Sequence, residues 1–77
     1  MRQFGIQLHS FADIREFVAL AIAQPFDVMI GSGNQLVNAK SIMAMFCLDY
    51  HRPLHVRVTC DDEAYTRFTA DAAKFIA

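Results

Sequence analysis

The stretch Phe26-Asp27-Val28-Met29-Ile30-Gly31-Ser32-Gly33-Asn34-Gln35-Leu36-Val37-Asn38-Ala39-Lys40-Ser41 decides the fold. Phe26, Val28 and Ile30 alternate along the chain with the period of a strand. Gly31-Ser32-Gly33-Asn34 then supplies residues that tolerate positive φ, and Leu36 to Ala39 resumes an extended pattern, so the segment predicts a β-hairpin. Ser41 is placed to cap a short helix running through about Leu48, because its hydroxyl can accept from a free amide of the first turn.

Upstream of the hairpin, Phe4, Ile6 and Leu8 alternate with Gln3, Gly5 and Gln7, which predicts a half-buried first strand over Gln3 to Leu8. Ser10 stands three residues before Asp13, an N-cap followed by a carboxylate at the positive end of a helix dipole. The helix it opens extends from about Ser10 to Ala23. Its apolar positions Phe11, Ile14, Phe17, Val18, Ala21 and Ile22 recur at steps of three and four, which assigns one stripe to a core. Pro25 closes it.

Downstream, Arg52-Pro53 breaks the chain before Leu54, Val56, Val58 and Cys60 alternate with His55, Arg57 and Thr59, giving a fourth strand. Asp61-Asp62-Glu63 sets three carboxylates where a helix N-terminus favours them. Ala64, Tyr65, Phe68, Ala72 and Phe75 mark one face of a final helix that reaches the C-terminus. The order is βαββαβα. A hairpin between two helix-separated strands suits an antiparallel sheet with its helices on one face, an α+β open-faced sandwich.

Composition bounds the function. The 77 residues suffice for one core, so residues 1–77 are expected to form a single domain. A chain this short needs a staple or a dense interior; 55% hydrophobic content with seven Phe points to the dense interior. Seven basic against eight acidic residues, with no basic cluster, argue against nucleic acid as a partner. Apolar runs such as Phe17 to Ala23 fall short of the ~20 residues needed to span a bilayer, and the N-terminus lacks a cleavage-site pattern; no membrane role and a cytoplasmic location are expected.

Cys47 and Cys60 have no CxxC or CxxH partner and read as two buried thiols behaving as small hydrophobes. His9, His51 and His55 do not share metal-ligand spacing, so no metal and no cofactor is expected. His55 falls beside Arg57 on the uncovered sheet face, where a solvated polar surface is the ordinary explanation.

Two places carry chemistry. His9 immediately precedes a helix start, where free amides and the dipole would stabilise a phosphoryl group on an imidazole nitrogen; the alternative is a half-exposed turn residue with no task. Ser41 leads into Ile42, Met43, Met45 and Phe46. Positions 42, 45 and 46 share a face, so Met43 and one neighbour project outward. The segment is then either core plus cap or an exposed contact patch with a modifiable serine at its edge.

Ala39-Lys40-Ser41-Ile42-Met43-Ala44-Met45-Phe46-Cys47-Leu48 resembles the segment around the regulatory serine of HPr, the small phosphocarrier of the bacterial phosphoenolpyruvate-dependent sugar phosphotransferase system. The match runs in register back to Glu16-Phe17-Val18 and forward into the acidic start of the last helix. The resemblance implies that family's open-faced sandwich, with a four-stranded antiparallel sheet and three helices on one face. It also implies a serine, Ser41, phosphorylated by HPr kinase, and a partner-binding surface at Ile42, Met43 and Phe46. Expected partners are proteins: phosphotransferase components, HPr kinase or a transcriptional regulator.

The other site departs from the pattern. Where the family carries G-L-H-T-R-P-A, with the phosphoacceptor histidine opening the first helix, this chain reads Gln7-Leu8-His9-Ser10-Phe11-Ala12-Asp13. An ungapped alignment puts Ser10 at the histidine position, and a one-residue insertion restores His9 but not the arginine or the proline. An arginine would contribute charge-assisted hydrogen bonds of about 1.5–3 kcal/mol to a phosphohistidine. The chain is therefore expected to be a divergent regulatory or protein-binding module, not an enzyme, with Ser41 as a switch. Its alternatives are a phosphocarrier accepting phosphate on His9 and a structural subunit pairing through its open sheet face near Met29 and Leu36.

Overall fold

The computed structural model describes residues 1–76 of the chain. Its elements follow the order β1 (Arg2–Ile6), α1 (Phe11–Ile22), β2 (Val28–Ser32), β3 (Gln35–Asn38), α2 (Ile42–Phe46), β4 (Leu54–Val58) and α3 (Asp62–Asp71), with a 3₁₀ turn at Ala73–Phe75. The four strands form one antiparallel sheet in the order β1-β4-β2-β3. The α+β open-faced sandwich read from the sequence is the observed architecture.

Each element has a local cause. The β2–β3 hairpin turns through Gly33 and Asn34 with Ser32 opposite Gln35, and Gly33 takes φ 60°, the left-handed conformation that a two-residue hairpin loop opening on glycine demands. Ser10, Ser41 and Asp61 cap the three helices, each accepting from the amide three residues on, at Asp13, Ala44 and Ala64. Lys40 reaches back to donate from Nζ to the Gln24 carbonyl at 2.8 Å, a cation beyond the C-terminal end of α1, whose own last turn has none.

The core lies between sheet and helices. Ile6, Val28, Ile30, Leu54, Val56 and Val58 supply its sheet side, and Ile14, Phe17, Ala21 and Phe68 its helix side. Phe68 is the hub of an aromatic cluster, with ring centroids 5.8 Å from Phe4, 5.8 Å from Phe26 and 6.2 Å from Phe17. The edge-to-face packing of Phe4 and Phe26 on Phe68 adds to the burial of each ring.

Several boundaries differ from the sequence reading. β1 ends at Ile6, because the Gln7 amide turns to donate to the Phe75 carbonyl at 2.8 Å; Leu8 is still buried. β2 begins at Val28 and β4 ends at Val58, one residue pair beyond which no ladder partner is available. α2 stops at Phe46, and Leu48 is buried from the turn that follows.

The last helix does not continue to the chain end. At Ala72 the backbone leaves the helix (φ −94°, ψ 7°), the short turn seats Phe75 edge-on against Phe17 at 5.9 Å, and Ile76 bridges to Ile6. A straight helix would have carried Phe75 past the core. The apolar stripe of α1 is likewise shorter than its spacing suggested: Phe11 and Ile22, at its two ends, are exposed. The thiols are not buried. Cys47 is exposed as the C-cap of α2, and Cys60 is half-buried just past the end of β4.

Candidate functional site

The β1–α1 loop, helix α2 and the α2–β4 loop meet around one end of α1. Gln7 holds two of them together: its side-chain amide nitrogen lies 3.4, 3.3 and 3.4 Å from the carbonyls of Tyr50, His51 and Arg52. An amide nitrogen has two hydrogens, so these three acceptors share two donors. The contact anchors the loop in which the His51 ring stacks on Tyr50 at 4.4 Å and Arg52 pairs with Asp49 at 3.2 Å.

At the mouth of α1, His9 and Ser10 are both exposed. Ser10 Oγ accepts from the Asp13 amide at 3.2 Å, while the Asp13 carboxylate accepts from the His9 amide at 3.0 Å. This reciprocal arrangement closes the helix start and sets a negative charge beside His9. His9 is thus the residue before the cap, in agreement with the sequence reading.

At the mouth of α2, Ser41 is exposed and its Oγ accepts from the Ala44 amide at 3.3 Å. The first turn holds no acidic residue. Met45 turns into the core, Ile42 is half-buried against it, and Met43 and Phe46 face outward, with Met43 77% exposed. Met43 projects outward as the spacing predicted, whereas Phe46, which the spacing placed on the face shared with Ile42 and Met45, is exposed at the end of the helix. The Phe46 ring stacks on Phe11 at 5.0 Å with an interplanar angle of 21°.

The stack joins the start of α1 to the C-terminal end of α2 within an apolar patch of Phe11, Met43 and Phe46. Phe11 was absent from the sequence-based site because its spacing assigned it to the core. The available signal was its place at the first helical position, a full turn before Ile14, where the sheet no longer covers it.

No family model and no curated relative matches the chain. Solved structures do. The protein superposes on HPr-C-His from Thermoanaerobacter tengcongensis with a TM-score of 0.73 and 25% identity, over 91% of this chain and 89% of that one. The chain has the HPr-like fold. A second neighbour, the histidine-containing phosphocarrier protein of Mycoplasma, shares the fold with a TM-score of 0.65 at 16% identity, over 96% of this chain and 98% of that one. In this HPr-like chain no helix among the described residues is long and apolar enough to cross a membrane.

Proposed function

We propose that this HPr-like chain is a regulatory, protein-binding member of the phosphotransferase-system family, with Ser41 as its phosphorylation switch. The observation that carries the reading is the exposed patch of Phe11, Met43 and Phe46 beside a helix mouth free of carboxylates. Solvent-facing aromatic and methionine side chains grouped in this way are the usual core of a protein contact surface. A phosphoryl group on Ser41 would add about −1.5 to −2 charge at the rim of that patch, changing which surfaces can dock there. Ile42, half-buried behind Met43, fixes the helix that presents it. The partners are proteins of the phosphotransferase system, HPr kinase or a transcriptional regulator, in a bacterial cytoplasm, and the chain is not itself a catalyst.

Incubation with HPr kinase and ATP, followed by mass-spectrometric localisation, tests the switch. One phosphoryl group is expected on Ser41, and none in Ser41→Ala. An unmodified Ser41 in the wild type removes the proposal.

A second reading, phosphate transfer through His9, draws support from its exposed place directly before a helix cap and from the neighbour described as a histidine-containing phosphocarrier. The Asp13 carboxylate weighs against it, since a phosphoryl group there meets a like charge.

A further inference from the structure

The sheet face away from the helices carries a second organised set of side chains. Residues directly opposite in an antiparallel sheet project to the same side, so the pairings define two rows. Gln3, Arg57, Met29 and Asn38 form one; Gly5, His55, Gly31 and Leu36 form the other. His55 is flanked by glycine on both sides. Its ring leans over Gly31 so closely that a Cβ there would stand 2.6 Å from His55 Nε2 and 2.8 Å from the Gln35 carbonyl. The missing side chain at Gly31 makes room for the imidazole.

Arg57 is unusual in its own row. Its Nε is buried without a hydrogen-bond partner, the one such side-chain atom among the described residues. The ion pairs among those residues use Arg2, Arg52, Arg67 and Lys74, and not Arg57. None of the four strands contains an Asp or Glu, although the chain as a whole has net charge −1. Asp27, one residue before β2, makes no ion pair with Arg57. A buried donor left unpaired is costly, and a planar guanidinium is the group best shaped to take a carboxylate.

We propose that the open sheet face docks an acidic, extended segment of a partner protein, one of whose carboxylates bridges Arg57 and His55. The two residues stand two apart on the same face of β4, roughly 6–7 Å between Cα atoms, close enough for their side chains to converge on one carboxylate. Charge complementarity selects the occupant: a guanidinium outside every ion pair among the described residues, on a face whose strands carry no carboxylate. Met29 and half-exposed Leu36 extend the surface across the sheet, wider than a free anion would cover, with Gln3 and Asn38 as a polar border. This surface is separate from the Ser41 patch, so either can fail alone.

The test is a ¹H–¹⁵N NMR titration of the full chain at constant ionic strength with hexaglutamate, with hexaglutamine, and with acetate and phosphate as free anions. Hexaglutamate is expected to shift the Arg57 Nε–H and the amides of Gly5, Met29 and Gly31. Binding should weaken at least tenfold in Arg57→Gln and several-fold in His55→Gln, with Arg57→Lys between wild type and Arg57→Gln. The proposal is overturned if these signals do not move, if hexaglutamine moves them equally, if Arg57→Gln binds as wild type, or if acetate or phosphate alone reproduces the response at equal charge. Should Arg57→Gln lose its dispersed spectrum, Arg57→Lys decides: binding equal to wild type then overturns it.

Discussion

Helices α1 and α2 begin in the same way and are left in different electrostatic states. Both are capped by serine, and both serines accept from the amide three residues on, at 3.2 Å for Ser10 and 3.3 Å for Ser41. At α1 the charge that a helix start favours is already in place, because Asp13 sits in the first turn and holds the His9 amide. At α2 no carboxylate occupies the first turn, and the helix presents Met43 and Phe46 to solvent. A phosphoryl group added at the first mouth competes with a resident anion, whereas one added at the second meets none. The difference explains why the serine segment, rather than the histidine segment, is the better candidate for modification.

Four experiments would break or sharpen this contrast, beginning with the largest effect. HPr kinase should label Ser41 and leave Ser10 untouched; equal labelling would show that the two mouths are equivalent. Next, phosphoenolpyruvate-dependent labelling of His9 should be slow in the wild type and rise roughly two- to fivefold in Asp13→Asn, since a charge in the first turn is worth about 0.3–1 kcal/mol. Unchanged labelling would mean that Asp13 is not the obstacle.

A smaller difference is expected in urea unfolding. Ser10→Ala should cost about 1 kcal/mol, because α1 docks Ile14, Phe17, Val18 and Ala21 in the core; Ser41→Ala should cost less, since α2 buries Met45 alone. The reverse order would contradict the assignment of α1 as the structural helix. The subtlest effect lies between the two helices: a double-mutant cycle on Phe11→Ala and Phe46→Ala should give a coupling of about 0.5–1.5 kcal/mol, and additivity would mean that the stack is not formed in solution.

Much of the fold was legible because its signals are local. Alternation in Phe4 and Ile6, in Val28 and Ile30, and in Leu54 to Val58 reports strands that are covered on one face only, and every helix start has a side-chain cap in the sequence. The errors fall where a segment meets the limit of what covers it. Phe11 and Ile22 continue the stripe of α1 beyond the sheet, Cys47 and Cys60 stand at the ends of elements, and Phe75 needs a bend at Ala72 to reach Phe17. Periodicity records which side of an element a residue lies on. It does not record where the opposing surface stops.

The candidate site divides along the same line. Ser41, Ile42, Met43 and Phe46 could be named from a contiguous segment, and His9 from its place before a cap. The Phe11–Phe46 stack, the Gln7 contacts to the α2–β4 loop and the pairing of Arg57 with Gln3 and Met29 join residues far apart in the chain.

By itself, the sequence determined the element order, the three caps and the side of each strand that faces the helices, because these follow from the intrinsic geometry of short peptides and from hydrophobic periodicity. Only the tertiary structure decided that β4 lies between β1 and β2, that Phe11 meets Phe46 in the open, and that Arg57 keeps an unpaired donor on a sheet face whose strands carry no carboxylate. Those outcomes depend on which distant surfaces remain uncovered once the core has closed, a property of the packed whole that no local stretch encodes.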